Sequence, residues 1–282
     1  MTIAVTGATG ELGRLVIDRL KQRVPATDIV AVVRDVQRAS TLGVGARAAD
    51  YTQPAALEAA LAGVDTLLLI SSSEIGQRVA QHVNVIQAAK KAGVGRVVYT
   101  SLLHADTSTL SLAPEHIETE QALKASGLRY TILRNGWYTE NYTASVAPAL
   151  ALGTLYSSAA DGRIASASRP DYADAAVAVL TGQGNDGKTY ELAGDTSYTL
   201  AELAAEITAQ SGKQVAYQSI PEADYAAALV KAGLPEGFAA ALASWDVAAS
   251  KGALFDDSRA LSALIGHPTT PLAQSVKAAL AR

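Results

Sequence analysis

Residues Val5 to Gly13 read Val-Thr-Gly-Ala-Thr-Gly-Glu-Leu-Gly, and this stretch constrains the fold of the chain more than any other. An apolar start, Ile3-Ala4-Val5, precedes it, and Leu12, Leu15, Val16 and Leu20 recur behind it at helical spacing. The unit predicted is strand, glycine turn, helix. In such a unit the first glycine permits a tight turn, the second lets backbone approach a pyrophosphate, and the third lets the helix pack closely on the strand. Free N–H groups at the helix start attract the anion. Gly7, Thr9, Gly10, Glu11, Leu12 and Gly13 are therefore candidate dinucleotide contacts. The spacing G-x-x-G-x-x-G departs from the usual fingerprint, and a glycine turn without a ligand reads the same way.

Strand-like and helix-like patterns then alternate. Ile29 to Val33 is an unbroken apolar run, as expected of a strand buried on both faces of a parallel sheet. It ends at Arg34, about twenty residues past the turn, where an NAD-binding fold usually sets an acid against the ribose 2′-hydroxyl. An arginine there favours a 2′-phosphate, because a guanidinium makes paired charge-assisted hydrogen bonds to phosphate oxygens. Arg38 adds a second charge, unless the two are simply solvated. Residues 46–49 predict a third strand delivering Asp50 to the carboxyl edge of the sheet. There it either accepts a hydrogen bond from an adenine amino group or caps the next helix, over 53–61. A fourth strand over 64–70 opens into Ser71, Ser72 and Ser73, three hydroxyls suited to the wall of a cofactor crevice. A helix over 79–89 and a fifth strand over 96–100 follow, then Ser101 and a long loop with His104. That alternation predicts a doubly wound parallel α/β sheet with right-handed crossovers.

A helix from Ala113-Pro114 to Gly127 carries His116 on what reads as an exposed face. The sixth strand, 130–133, brings Asn135, Trp137, Tyr138, Asn141 and Tyr142 to the same edge. Aromatic rings stack on planar molecules and amides hydrogen-bond carbonyl oxygens, so the group suits a flat organic substrate, although Trp137 and Tyr138 taken singly read more often as core or interface residues. Later elements are shorter: a brief strand at 163–165, a helix over 171–180 and a strand over 188–192. Thr199 and Glu202 then form a capping box ahead of a helix that stops near Gly212. A strand over 215–220 and mostly short helices complete the chain. The division expected is a dinucleotide-binding domain over 1–152, its sheet completed by later strands, and a smaller α/β lobe over 153–282 wrapped over the open edge of the sheet.

Composition removes other classes. The net charge of −4 and the lack of a basic run argue against nucleic-acid binding. Without cysteine there are no disulfides, thiolate nucleophiles or sulfur-ligated metals. His82, His104, His116 and His267 lack the spacing of metal ligands, and no G-x-S-x-G elbow occurs. Tyr142 to Ala160, the longest uncharged stretch, is broken by Pro148 and Gly153, so no membrane span is expected. The first strand begins too early to leave room for a signal peptide, which predicts a cytoplasmic protein, monomeric or homodimeric.

Thr6 to Gly13, Arg34, and Tyr130-Thr-Ile-Leu-Arg-Asn135 together resemble the NmrA-like branch of the atypical short-chain dehydrogenases. Ile70 to Gln77, Thr100 to Asp106, Arg134 to Tyr138, Lys188 to Gly194 and Leu264 to Thr270 are similar to the quinone-reducing bacterial members of that branch. Its members that reduce triphenylmethane dyes are a less close likeness. The resemblance covers essentially the whole chain. It implies a Rossmann domain with a small C-terminal α/β lobe, and NADPH along the edge formed by the glycine turn, Arg34, Asp50, Ser71, Ser72, Ser101 and Asn135. It also implies a quinone reduced directly, without flavin, near Trp137, Tyr138, Asn141 and Tyr142. Most short-chain dehydrogenases carry a Tyr-x-x-x-Lys pair after the fifth strand, but here the spacing reads His116-Ile-Glu-Thr-Glu120. Quinone reduction tolerates that loss, because a hydroquinone anion is a far weaker base than an alkoxide. Placement then carries more of the rate, and His104, His116 or water protonates the product. Two other readings stay open: a dinucleotide-binding redox regulator without catalysis, and a reductase of another conjugated acceptor such as a cationic dye.

Overall fold

The computed structural model describes residues 1–281, which divide into two compact units. Unit 1 comprises 1–106, 112–135 and 169–192; unit 2 comprises 107–111, 136–168 and 193–282. The units do not part at residue 152. Residues 136–152 belong to unit 2, and 169–192 return to unit 1 because they supply the last strand of its sheet.

Unit 1 begins with β1 (Ile3–Thr6), α1 (Glu11–Leu20), β2 (Ile29–Val33), β3 (Gly45–Ala48), α2 (Pro54–Ala60), β4 (Thr66–Leu69) and α3 (Arg78–Lys91). It continues through β5 (Arg96–Leu102), α4 (Ala113–Ala125) and β6 (Arg129–Asn135). The chain then passes through α5 (Thr139–Thr143), α6 (Val146–Leu152) and β7 (Thr154–Ser157) of unit 2 before α7 (Arg169–Thr181) and β8 (Thr189–Leu192) rejoin unit 1. The sheet is parallel throughout, in the order β3-β2-β1-β4-β5-β6-β8. Every residue of β1, β2, β4 and β5 is buried, the burial expected of apolar strands covered by helices on both faces. Arg19 of α1 pairs with Asp174 of α7 on one face, while α2, α3 and α4 cover the other around Leu57, Val85, Ile86 and Leu123. After β3 the chain crosses back to lay β4 beside β1. The strand order therefore reverses between β1 and β4, and a crevice opens at their carboxyl ends.

Unit 2 holds a parallel pair, β7 with β9 (Ala216–Ser219), and α8 (Leu200–Ser211) packs on both strands. Thr199 caps α8: its hydroxyl accepts from the Glu202 N–H at 3.2 Å and its own N–H donates to Glu202 Oε2 at 2.7 Å, as the sequence pattern predicts. The remaining helices are α9 (Glu222–Lys231), α10 (Glu236–Ser250), α11 (Ala260–Ile265) and α12 (Leu272–Leu280). One expectation fails here. Arg163 to Ala165 is not a strand, because Ile164 makes only an isolated bridge to Tyr198 and the Arg163 side chain bonds Ser197 instead. Of the later helices, α10 runs 15 residues and α11 only 6. Among the described residues no helix is long and apolar enough to cross a membrane.

The start of α1 is pressed against the glycine turn. A Cβ on Gly13 would lie 2.4 Å from the Gly7 carbonyl oxygen and 2.7 Å from Ala8 Cα. Gly13→Ala is expected to cost about 1–3 kcal/mol in urea unfolding through this overlap. Gly10→Ala, whose Cβ meets only the Gly7 oxygen at 3.2 Å, is expected to cost less.

Candidate active site

The turn after β1 shapes the floor of the crevice. Gly7 takes φ +59°, a left-handed conformation that favours glycine, and its carbonyl accepts the Gly10 N–H at 2.9 Å. The first-turn amides of α1 have no intrahelical acceptors and carry the positive end of the helix dipole. Gly7, Thr9, Gly10, Arg34, Asp50, Ser71 and Ser72 line one cavity of about 330 Å³ at the strand-order reversal. Arg38, Tyr51, Glu74 and Gln81 line it too.

The other residues expected beside these lie off that lining. Leu12 and Gly13 are buried beneath the turn, and Glu11 reaches Arg169 Nε at 3.0 Å. Ser101 is buried, its hydroxyl donating to Glu120 Oε1 at 2.6 Å. Asn135 is 5% exposed at the end of β6, and both of its amide atoms lack a partner. Asp50 lines the cavity but does not cap α2, whose N-cap is Gln53. Asp50 Oδ1 instead accepts from the Thr52 hydroxyl at 2.6 Å and the Thr52 N–H at 2.8 Å, and these bonds lower its pKa.

The wall beside Ser71 and Ser72 rests on residues with no motif to announce them. Tyr51 Oη lies 2.6 Å from Thr6 Oγ1 and donates to the Ile70 carbonyl at 2.9 Å. The Ser71 N–H donates to Thr100 Oγ1 at 2.9 Å, tying the wall to β5. The Ser72 N–H donates to His82 Nε2 at 2.9 Å, and Arg78 Nε donates to the Ser72 carbonyl at 2.6 Å. Because Nε2 accepts, the proton of His82 sits on Nδ1 and faces Thr119 Oγ1 at 3.0 Å. Burial, reinforced by the Arg78 charge, pushes His82 down to about 3, so the ring is neutral. Glu115 Oε1 accepts the N–H groups of Gly76 and Arg78, which pins the far end of the same loop.

A buried charge cluster occupies the carboxyl ends of β5, β6 and β8. Arg134, 6% exposed, binds both oxygens of Glu120, 1% exposed, at 2.9 Å each. Its remaining nitrogen meets Glu191 Oε1 at 2.7 Å and Asp106 Oδ1 at 3.0 Å. Burial alone would raise the Glu120 pKa, but hydrogen bonds from Arg134 and Ser101 leave it lowered. The same Glu120 hydrogen bonds hold Arg134 still more firmly protonated. The position where the resemblance leads one to look for a lysine thus holds a carboxylate locked to an arginine.

The two histidines expected to move protons fare differently. His116 is 5% exposed rather than solvated, because α4 packs against α3 and β5 and turns the ring inward. Its Nδ1 lies 2.8 Å from Tyr99 Oη. Burial first, then the nearby Arg78 and His82, push it down to about 3, so His116 stores no proton at neutral pH. His104 follows β5 with φ +51°, uncommon for a residue with a Cβ. Its N–H donates to Glu191 Oε2 at 2.8 Å, and its ring Nδ1 lies 3.6 Å from the same oxygen.

Trp137, Tyr138, Asn141 and Tyr142 share one short segment of unit 2. Trp137 stands edge-on to Trp245 with ring centres 5.5 Å apart, and Trp245 meets Phe238 at 6.2 Å. Tyr138 leads into α5 and bridges to Ala167, Asn141 is exposed, and Tyr142 meets Tyr198 edge-on at 6.3 Å. Among the described residues no cluster of three or more histidine or acidic side chains could hold a metal ion.

Comparison with known proteins gives consistent matches. Residues 1–273 match the NmrA-like family. The chain is 61% identical to quinone oxidoreductase 2 of Escherichia coli (strain K12) over 277 residues, 97% of either chain. The crystal structure of an E. coli NADPH-dependent quinone oxidoreductase complexed with NADPH superposes with a TM-score of 0.97 at 60% identity, over 99% of this chain and all of that one. Citrobacter sp. triphenylmethane reductase complexed with NADP(H) does so with a TM-score of 0.95 at 41% identity, over 99% of this chain and all of that one.

His82 and His116 make stability depend on pH. Both fall from 6.5 to about 3 on folding, so the unfolded chain binds protons first as pH drops. Their contribution is complete above the unfolded value and is lost progressively as pH falls towards the folded one. The urea midpoint is expected to drop between about pH 7 and about pH 5, and His116→Gln to flatten the decline.

Proposed function

Because the chain belongs to the NmrA-like family, we propose that it reduces quinones with NADPH by direct transfer, without flavin. The observation that carries this reading is the single cavity in which the glycine turn and the start of α1 face Arg34 and Arg38. That pairing fits NADPH. Helix N-terminal amides suit a pyrophosphate, and two guanidiniums past the end of β2 suit a 2′-phosphate. In this reading Asp50 accepts from the adenine amino group, Ser71 and Ser72 line the ribose wall, and Ser101 and Asn135 continue the cofactor edge. The unpartnered amide of Asn135 is consistent with a missing polar ligand.

When bound, NADPH supplies the two electrons and one hydrogen that a quinone needs, leaving one proton for the protein or water. Trp137, Tyr138, Asn141 and Tyr142 are the acceptor contacts proposed. Arg134 and Glu120 neutralise each other and hold Ser101 in place, rather than acidifying a donor as a tyrosine–lysine pair does. His104 is the proton donor proposed. It is partly exposed and beside the Glu191 carboxylate, whereas His116 is buried and neutral. The weak basicity of a hydroquinone anion makes this a modest demand on a general acid.

Flavin-free protein is expected to oxidise NADPH in the presence of 1,4-naphthoquinone, followed by the loss of nicotinamide absorbance. Consumption at the buffer rate across a panel of quinones would remove the reading, and turnover of cationic dyes alone would replace it. Arg34→Ala is expected to weaken NADPH by about 1.5–3 kcal/mol, tenfold or more, with little effect on NADH. His104→Gln is expected to lower kcat by roughly tenfold with KM unchanged, below the usual range of general-acid effects of about 100-fold or more, because the hydroquinone anion is so weak a base.

A further inference from the structure

Glu74 is a carboxylate in a cavity suited to a polyanion, and it is held there. Its Oε2 accepts from Gln81 Nε2 at 2.7 Å, and Gln81 is only 4% exposed on α3. Its N–H donates to the Ser72 hydroxyl at 3.1 Å, on the backbone that His82 and Arg78 secure from both sides. The other carboxylate oxygen, Oε1, lies 3.5 Å from Nη1 of Arg34. Arg34 itself is open to solvent, with 72% of its side chain exposed. An ordinary surface pair joins two flexible side chains and contributes little. Here one partner is anchored by a buried glutamine, so the negative charge stays where Arg34 would meet its ligand.

We propose that Glu74 sets the selectivity between NADPH and NADH by competing with the 2′-phosphate for Arg34. This rests on the cofactor reading above. A phosphate that pairs with the Arg34 guanidinium must either displace Glu74 Oε1 or lie beside it, and a dianion beside a fixed carboxylate is repelled. The 2′-hydroxyl of NADH carries no charge and can donate a hydrogen bond to the same oxygen. Glu74 therefore works against the phosphorylated dinucleotide and for the unphosphorylated one, while Arg34 works the other way. The pair moderates the preference, and does so for NADPH and NADP⁺ alike, since both carry the 2′-phosphate. Gln81 is the positioning residue: its amide holds the carboxylate at the cavity wall.

Calorimetric titration of 2′,5′-ADP, 5′-AMP, NADPH and NADH into wild-type and Glu74→Gln protein tests this without turnover. Removing the charge is expected to tighten 2′,5′-ADP and NADPH by roughly three- to tenfold, with a gain that shrinks as salt is raised. NADH and 5′-AMP should be unchanged or weaker. Gln81→Met, which releases the carboxylate without removing it, should shift affinities in the same direction by less. If Glu74→Gln leaves the 2′-phosphate ligands unchanged, or tightens all four equally, the proposal is overturned while the cofactor reading stands. If wild-type protein binds 2′,5′-ADP no better than 5′-AMP, the NADPH reading itself falls and takes the proposal with it.

Discussion

The close approach of α1 to the turn after β1 governs the geometry of unit 1. Gly13 leaves no room for even a methyl group between the helix and the Gly7 carbonyl, and Gly7 adopts a backbone conformation that disfavours side chains. These two positions bring the helix start down onto the end of β1, so that its unpaired amides face the cavity. The chain then crosses from β3 back to β4, and the cavity lies beyond β1 at that reversal. Arg34 from β2, Asp50 from β3 and Ser71 from β4 converge there because parallel strands deliver all their carboxyl ends to one edge.

Charge is divided between two places in unit 1. The cavity carries exposed arginines, tempered by Glu74, while at the ends of β5, β6 and β8 three acidic groups surround the buried Arg134: Glu120 is buried, Glu191 partly so, and Asp106 reaches it from the surface. A buried ion pair is poor support for stability, since desolvation offsets its attraction. Its two-point geometry is better suited to orientation: Glu120 receives the Ser101 hydroxyl while both its oxygens are bound to Arg134. A chain without the tyrosine–lysine pair thus still has a rigid polar cluster behind Ser101. That suits a reaction governed by placement more than by acid strength.

Legibility in the sequence followed the range of the interactions. The glycine turn, the β2 run ending at Arg34, and the Thr199–Glu202 capping box are local patterns, and each takes its expected form. Residues 163–165 misled because so short a run, with apolar Ile164 and Ala165, can satisfy a strand pattern without finding a partner strand. His116 misled because α4 has no continuous apolar stripe, so its buried face depends on α3 and β5. His82 is excluded as a metal ligand but given no other role by the sequence, and Glu74 is given none, since their meaning lies in partners far away in the chain: Thr119 for His82 and Arg34 for Glu74.

The order of elements, the glycine turn and the basic residue at the end of β2 were determined by the sequence alone. They arise from backbone freedom, hydrophobic periodicity and residue type over short spans. Tertiary structure alone decided which acids meet Arg134, which two histidines are buried and neutral, and that Gln81 holds Glu74 against Arg34. The physical reason is that desolvation and charge pairing depend on neighbours in space. The turn from Gly7 to Gly13 marks out a dinucleotide crevice in one dimension, but the balance of charge inside that crevice exists only once the strands lie side by side.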